Sequence, residues 1–217
     1  PILGAEVNLV PEDRRDANIH RTCTIVLLCR NDEGYRNLCY LLSRAYIDAP
    51  PRARGPRIDR PLLEEYASGL IALSGNLSGE IPQALLRGDT EAAEQLARFY
   101  QGLFGPDGFY IELLRTGIKE QDAVNEGLTR LAEKLSLPMV AAADAHYNHE
   151  GEANAHEVLM CIQLGKSLPS LETQARITDQ LTLAPAEARI RPLRCCAPAA
   201  TSMASLSGVS RCCPVCA

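Results

Sequence analysis

Short unbroken apolar runs alternate along this chain with longer stretches in which apolar residues recur every three or four positions. The first kind of pattern reads as buried strands and the second as amphipathic helices. Strands are expected over 1–7, 22–29, 69–74, 109–114 and 138–143. Asn31-Asp32-Glu33 reads as the cap of a helix whose inner stripe is Leu38, Leu41, Leu42 and Ala45. Asp59, followed by Pro61 in the first turn, starts a short helix. Gly75 to Gly79 is an exit turn, and Gly88-Asp89 separates helices over 80–87 and 90–104. In the second of these Ala93, Leu96, Ala97 and Tyr100 share a face. A helix over 119–135 carries Val124, Leu128, Leu131 and Leu135, and a last one runs from about 152 to 164. No internal repeat is present. The alternation favours an α/β fold, a parallel sheet or barrel with its site at the strand C-termini.

A chain of 217 residues buries one good-sized core. Its 46% hydrophobic and 23% charged residues are ordinary for a globular domain. The net charge of −5 excludes a chain built mainly to coat nucleic acid. One basic stretch, Arg52, Arg54, Arg57 and Arg60 among prolines, reads as a phosphate contact or a solvated loop. No apolar stretch reaches the ~18 residues of a membrane span, and no signal-peptide pattern is present. The opening Pro1-Ile2-Leu3 reads as a strand already under way, so an internal piece of a longer polypeptide is expected.

The nine cysteines fall into two groups. Cys23, Cys29, Cys39 and Cys161 sit in apolar stretches and read as buried, reduced residues of a cytoplasmic protein. Cys195, Cys196, Cys212, Cys213 and Cys216 crowd into a tail of Ala, Pro, Ser and Arg. Cys213-Pro-Val-Cys216 has zinc-knuckle spacing, but a second such pair is missing. A disordered or non-native tail over 184–217 is the expectation.

The chemistry concentrates at Asp144-Ala145-His146, which ends the apolar run 138–143. Strand alternation would put both side chains on one side, a carboxylate and an imidazole suited to Zn²⁺, Mn²⁺ or Fe²⁺. A capping Asp beside a surface His is the plainer alternative. His156 reads as a packed helix residue and His149 as solvent-facing. Glu112, inside its strand, is a partner to a site ligand or a satisfied core carboxylate. Ser74-Gly75-Asn76-Leu77-Ser78-Gly79 lacks the Lys-Ser/Thr ending of a P-loop, and no Ser-His-Asp triad order is present.

Several strings occur in one order: Gly4-Ala5-Glu6, Asn31 to Leu38, Pro56-Arg57-Ile58-Asp59-Arg60, Gly69 to Gly75, Leu77 to Ile81 and His156 to Gln163. Together they resemble the polymerase and histidinol phosphatase (PHP) domain of bacterial DNA polymerase III alpha subunits, over roughly 1–183. The resemblance implies a distorted (β/α)₇ barrel, here incomplete, lacking the first strand and its His-x-His motif.

It also implies metal ligands, which carry over residue by residue. Glu6 stands at the family's glutamate and Asp144 and His146 at its Asp-x-His. Two positions depart: Thr24 stands where members often have a His, and Asn76 where they often have a Cys. Thr and Asn offer only neutral oxygens. His20 cannot substitute, since four residues of strand span ~13 Å. A partly degenerate Zn or Mn site is therefore expected.

The function implied is that of a non-polymerising module in a protein that copies DNA with Mg²⁺, its polymerising carboxylates lying elsewhere. No catalytic residue is expected in this chain. The implied partners are the polymerase core of the same polypeptide, the separate proofreading exonuclease subunit and, through the parent protein, DNA. Two alternatives are a metal-dependent phosphoesterase or 3′→5′ exonuclease in the domain itself, and a free-standing histidinol-phosphatase-like enzyme. Replicative and error-prone paralogues share the pattern.

Overall fold

In the computed structural model, residues 2–51, 53, 55–165 and 181–182 are described. The expected boundary near residue 183, the cysteine-rich tail, Arg52 and Arg54 lie outside them.

Strand β1 (Gly4–Val10) pairs antiparallel with β2 (Cys23–Cys29), from Gly4 opposite Leu28 to Leu9 opposite Cys23. The intervening loop has no helical periodicity and cannot form the crossover a parallel partner requires, so the chain returns directly. Asn31 then caps helix α1 (Asp32–Ile47), its Oδ1 accepting the Gly34 N–H at 2.9 Å. A two-residue strand, β3 (Ile58–Asp59), leads into α2 (Arg60–Glu65), where Asp59 Oδ1 accepts the Leu62 N–H at 3.1 Å. Next come β4 (Leu70–Leu73), α3 (Glu80–Leu86) and α4 (Thr90–Phe104). The series ends with β5 (Phe109–Leu114), α5 (Lys119–Leu135), β6 (Met139–Ala142) and α6 (Ala153–Leu164).

The sheet order is β3-β1-β2-β4-β5-β6. The pairs β1/β3, β4/β5 and β5/β6 are parallel, whereas β2 is antiparallel to both neighbours. All strands but β2 therefore share one direction. The α/β, mostly parallel, barrel-like architecture matches the expectation, and the sheet stays open among the described residues.

One sheet face carries Leu9, Ile25, Leu27, Phe109, Ile111 and Leu113 into the main core, against Leu41 of α1, Ile81 of α3 and Leu128 of α5. The other face holds a small apolar cluster of Val26, Leu28, Leu73 and Val140. Residues opposite one another in register point the same way. Glu6, opposite Val26, and Glu112, opposite Val140, thus share this second face.

Three expectations need correction. The strand 138–143 stops at Ala142, so Asp144 and His146 lie beyond it. Arg57 and Arg60 are not the solvated loop side chains expected. Arg57 is buried and donates to the carbonyls of Arg14, Asp16 and Ile19, and Arg60 pairs with Glu80 at 2.8 Å. Tyr100 OH also donates to Glu80, and burial, then the Glu80 charge, push its phenol well above the ordinary range. Finally, Cys39 is exposed and Cys23 and Cys29 half-buried; only Cys161 of these four is buried. Cys39 lies between the inward Leu38 and Leu41 on α1, turned off the helix's core stripe.

Candidate functional site

Reversal of β2 decides which residues meet. Its first residues lie beside the last residues of β1, with Asn8 opposite Thr24, and beside the loop leaving β4. The Thr24 N–H donates to the Ser78 carbonyl at 3.0 Å. Gly75, at φ +80°, lets that loop lie against β2, because a Cβ there would come within 3.0 Å of the Thr24 carbonyl.

This close approach builds a hydrogen-bonded chain. Thr24 Oγ1 donates to Asn76 Oδ1 at 3.2 Å, which also accepts the Ser78 N–H at 2.9 Å. Those two donors fix the amide orientation. Asn76 Nδ2 consequently turns toward Glu6 and donates to Oε1 at 3.3 Å. Glu6, Thr24 and Asn76, expected to share a site, are brought together.

Asp144 and His146 form a second group. They meet through a turn rather than a strand pleat: Asp144 adopts φ +48°, in the left-handed region, and Oδ1 lies 3.6 Å from His146 Nε2. The His146 N–H donates to the Leu181 carbonyl at 2.9 Å, which anchors the loop. Asn76 joins the groups, lining with Asp144, His146, Thr116 and Gln121 a cavity of about 170 Å³.

Two residues at this site were not expected. The His156 ring on α6 lies 5.1 Å from that of His146 and 5.7 Å from Tyr147. Burial, then the neighbouring His146, hold its imidazole below the ordinary histidine value. Nothing in its helical spacing signals this, because Val158, Leu159 and Ile162 leave much of the α6 apolar surface exposed. Gln121 is buried and donates to Asn125 Oδ1 at 3.0 Å. Its signal was a polar residue three positions before the inward Val124. His149 is exposed, as expected, and His20, among the exposed residues of the β1–β2 loop, belongs to neither group.

The donor chemistry tests the implied metal. Among the described residues, no group of three or more His, Cys, Asp and Glu side chains could hold an ion. Where the family pattern offers an imidazole and a thiolate, Thr24 and Asn76 offer neutral oxygens, and Asn76 Oδ1 already accepts from Thr24 Oγ1 and Ser78 N. These residues do not fit a multi-metal centre.

Residues 1–116, more than half of the chain, match the PHP domain. The chain belongs to the PHP domain family. Its relatives include DNA polymerase III subunit alpha of Treponema pallidum, 37% identical over 190 residues, covering 86% of this chain and 16% of the relative. The same subunit of Thermus aquaticus is 41% identical over 177 residues, 79% of this chain and 14% of the relative. That of Escherichia coli is 36% identical over 168 residues, 77% and 14% respectively. The chain thus spans about a sixth or less of these relatives' length. Among the described residues of this PHP domain, no helix is long and apolar enough to cross a membrane.

Proposed function

We propose that this PHP domain is a non-polymerising module of a bacterial DNA polymerase III alpha subunit, acting as scaffold and docking surface, with Glu6, Asp144 and His146 as the remaining members of a partly degenerate metal site that binds an ion poorly in this chain. In this reading its partners are the polymerase core and the proofreading exonuclease subunit, and DNA is reached through the polymerase. Mg²⁺ then serves the polymerase carboxylates, outside this domain, and the protein works in the cytoplasm. Relatives named as that subunit, aligned over 77–86% of the chain, support the assignment. The observation that carries the scaffold role is the engagement of Thr24 and Asn76 with each other and with Glu6.

A hydrolytic reading has one specific observation in its favour, the grouping of Asp144, His146 and His156. Assaying the purified chain with Mn²⁺ or Zn²⁺ on a generic phosphate ester and on 3′ ends of single-stranded DNA separates the two. The scaffold role predicts no turnover above the Asp144→Asn control. Chelator-sensitive hydrolysis abolished by Asp144→Asn would overturn it.

A further inference from the structure

We infer that the Thr24–Asn76–Glu6 hydrogen-bond chain does here the structural work that metal–ligand bonds do at a complete site, closing the rim between β1, β2 and the loop leaving β4 without an ion. The inference rests on the PHP assignment and deepens the reading of its altered ligand positions. Three elements far apart in sequence converge on one side chain, since Asn76 Oδ1 accepts hydrogen bonds from Thr24 Oγ1 and Ser78 N and Nδ2 donates one to Glu6. The Thr24 N–H to Ser78 carbonyl bond and the Gly79 bridge to Thr24 complete the seam. An ion would pull a carboxylate and neighbouring donors toward one point. Here the amide nitrogen of Asn76 faces Glu6, and a cation in that place would meet N–H hydrogens rather than lone pairs.

Thermal unfolding of the full chain, followed by circular dichroism with and without chelator, tests this. Wild type is expected to shift by less than about 1 °C on chelation or on adding Zn²⁺ or Mn²⁺. Thr24→Val keeps the shape and removes the hydroxyl, lowering Tm by about 3 °C; Asn76→Ala lowers it by about 5 °C, and neither is rescued by an ion. Asn76→Asp replaces the N–H donor with an oxygen beside Glu6, so Mn²⁺ should raise the Tm of that variant alone. If Asn76→Ala does not fold, the near-isosteric Thr24→Val still carries the test. A wild-type Tm that falls by several degrees on chelation, an unchanged Tm in Thr24→Val, or no Mn²⁺ response in Asn76→Asp overturns the inference. Chelator-sensitive hydrolysis with these stabilities as expected would instead sink the scaffold role alone.

Discussion

Arg57 is 2% exposed, and its guanidinium donates to the carbonyls of Arg14, Asp16 and Ile19, gathering the β1–β2 loop around one side chain. A guanidinium spreads five N–H donors over three nitrogens and reaches separated acceptors together, whereas the three donors of a lysine all radiate from one nitrogen. Arg57→Met leaves three carbonyls without this donor and is expected to cost about 3 kcal/mol, read from urea midpoints at unchanged m-value. Arg57→Lys should recover less than half of that. Asp144 illustrates a different residue-scale constraint. At φ +48° most residues are strained; Gly escapes because it lacks a Cβ, and Asn and Asp because their short polar side chains bond locally. Asp144→Asn should therefore stay within about 0.5 kcal/mol of wild type, while Asp144→Ala should cost about 1 kcal/mol. Finding the two equal would show that the left-handed turn is not what selects the residue there.

At the scale of elements, α1 is seated by a backbone contact. A Cβ on Gly34 would fall 1.8 Å from the Gly69 carbonyl, the same oxygen that accepts the Arg30 N–H at 2.9 Å. Gly34→Ala must push α1 off the turn entering β4 and should cost at least about 2 kcal/mol. Exposed Gly102, with nothing near its Cβ position, is the control, and Gly102→Ala should be neutral or stabilising. The caps of α1 and α2 were legible because Asn31 and Asp59 are residue types that bond the N–H three residues on, whereas Asp89, read only as part of a helix break, caps α4 in the same way. The two-residue β3 was not, since Ile58–Asp59 shows no alternation and exists only through pairing with Leu9 and Val10. The direction of β2 was equally hidden, because pairing is set by where the chain returns rather than by its own apolar run. Asp144 and His146 were legible as neighbours, but the turn that joins them was not. The placement of Gln121 and His156 at the site was not legible, because it depends on how α5 and α6 pack.

At the scale of the whole molecule, Asp48 ties the C-terminus of α1 to the loop between β1 and β2. It accepts from Arg14 Nε at 2.7 Å and from Arg44 Nη2 at 2.6 Å, with Arg15 at 3.4 Å. Arg14 also holds Asp59 at 2.8 Å, so one cation bridges the loop, α1 and the N-cap of α2. Burial pushes the Asp48 carboxyl up, but the hydrogen bonds from Arg14 and Arg44 outweigh it and hold the group below its ordinary value. A carboxyl with a lower pKa when folded than when unfolded binds fewer protons in the folded state. Its contribution is therefore complete above the unfolded pKa of about 4 and is lost as pH falls through the lower folded value. Stability should decline from about pH 5 toward pH 2, and Asp48→Asn should be less stable at pH 7 yet converge on wild type at the acid end. Parallel wild-type and Asp48→Asn curves across that window, measured by urea unfolding, would show that the clamp acts through packing rather than charge. Added salt should weaken the contribution of exposed Arg15 first, because the more buried Arg14–Asp48 pair is screened less.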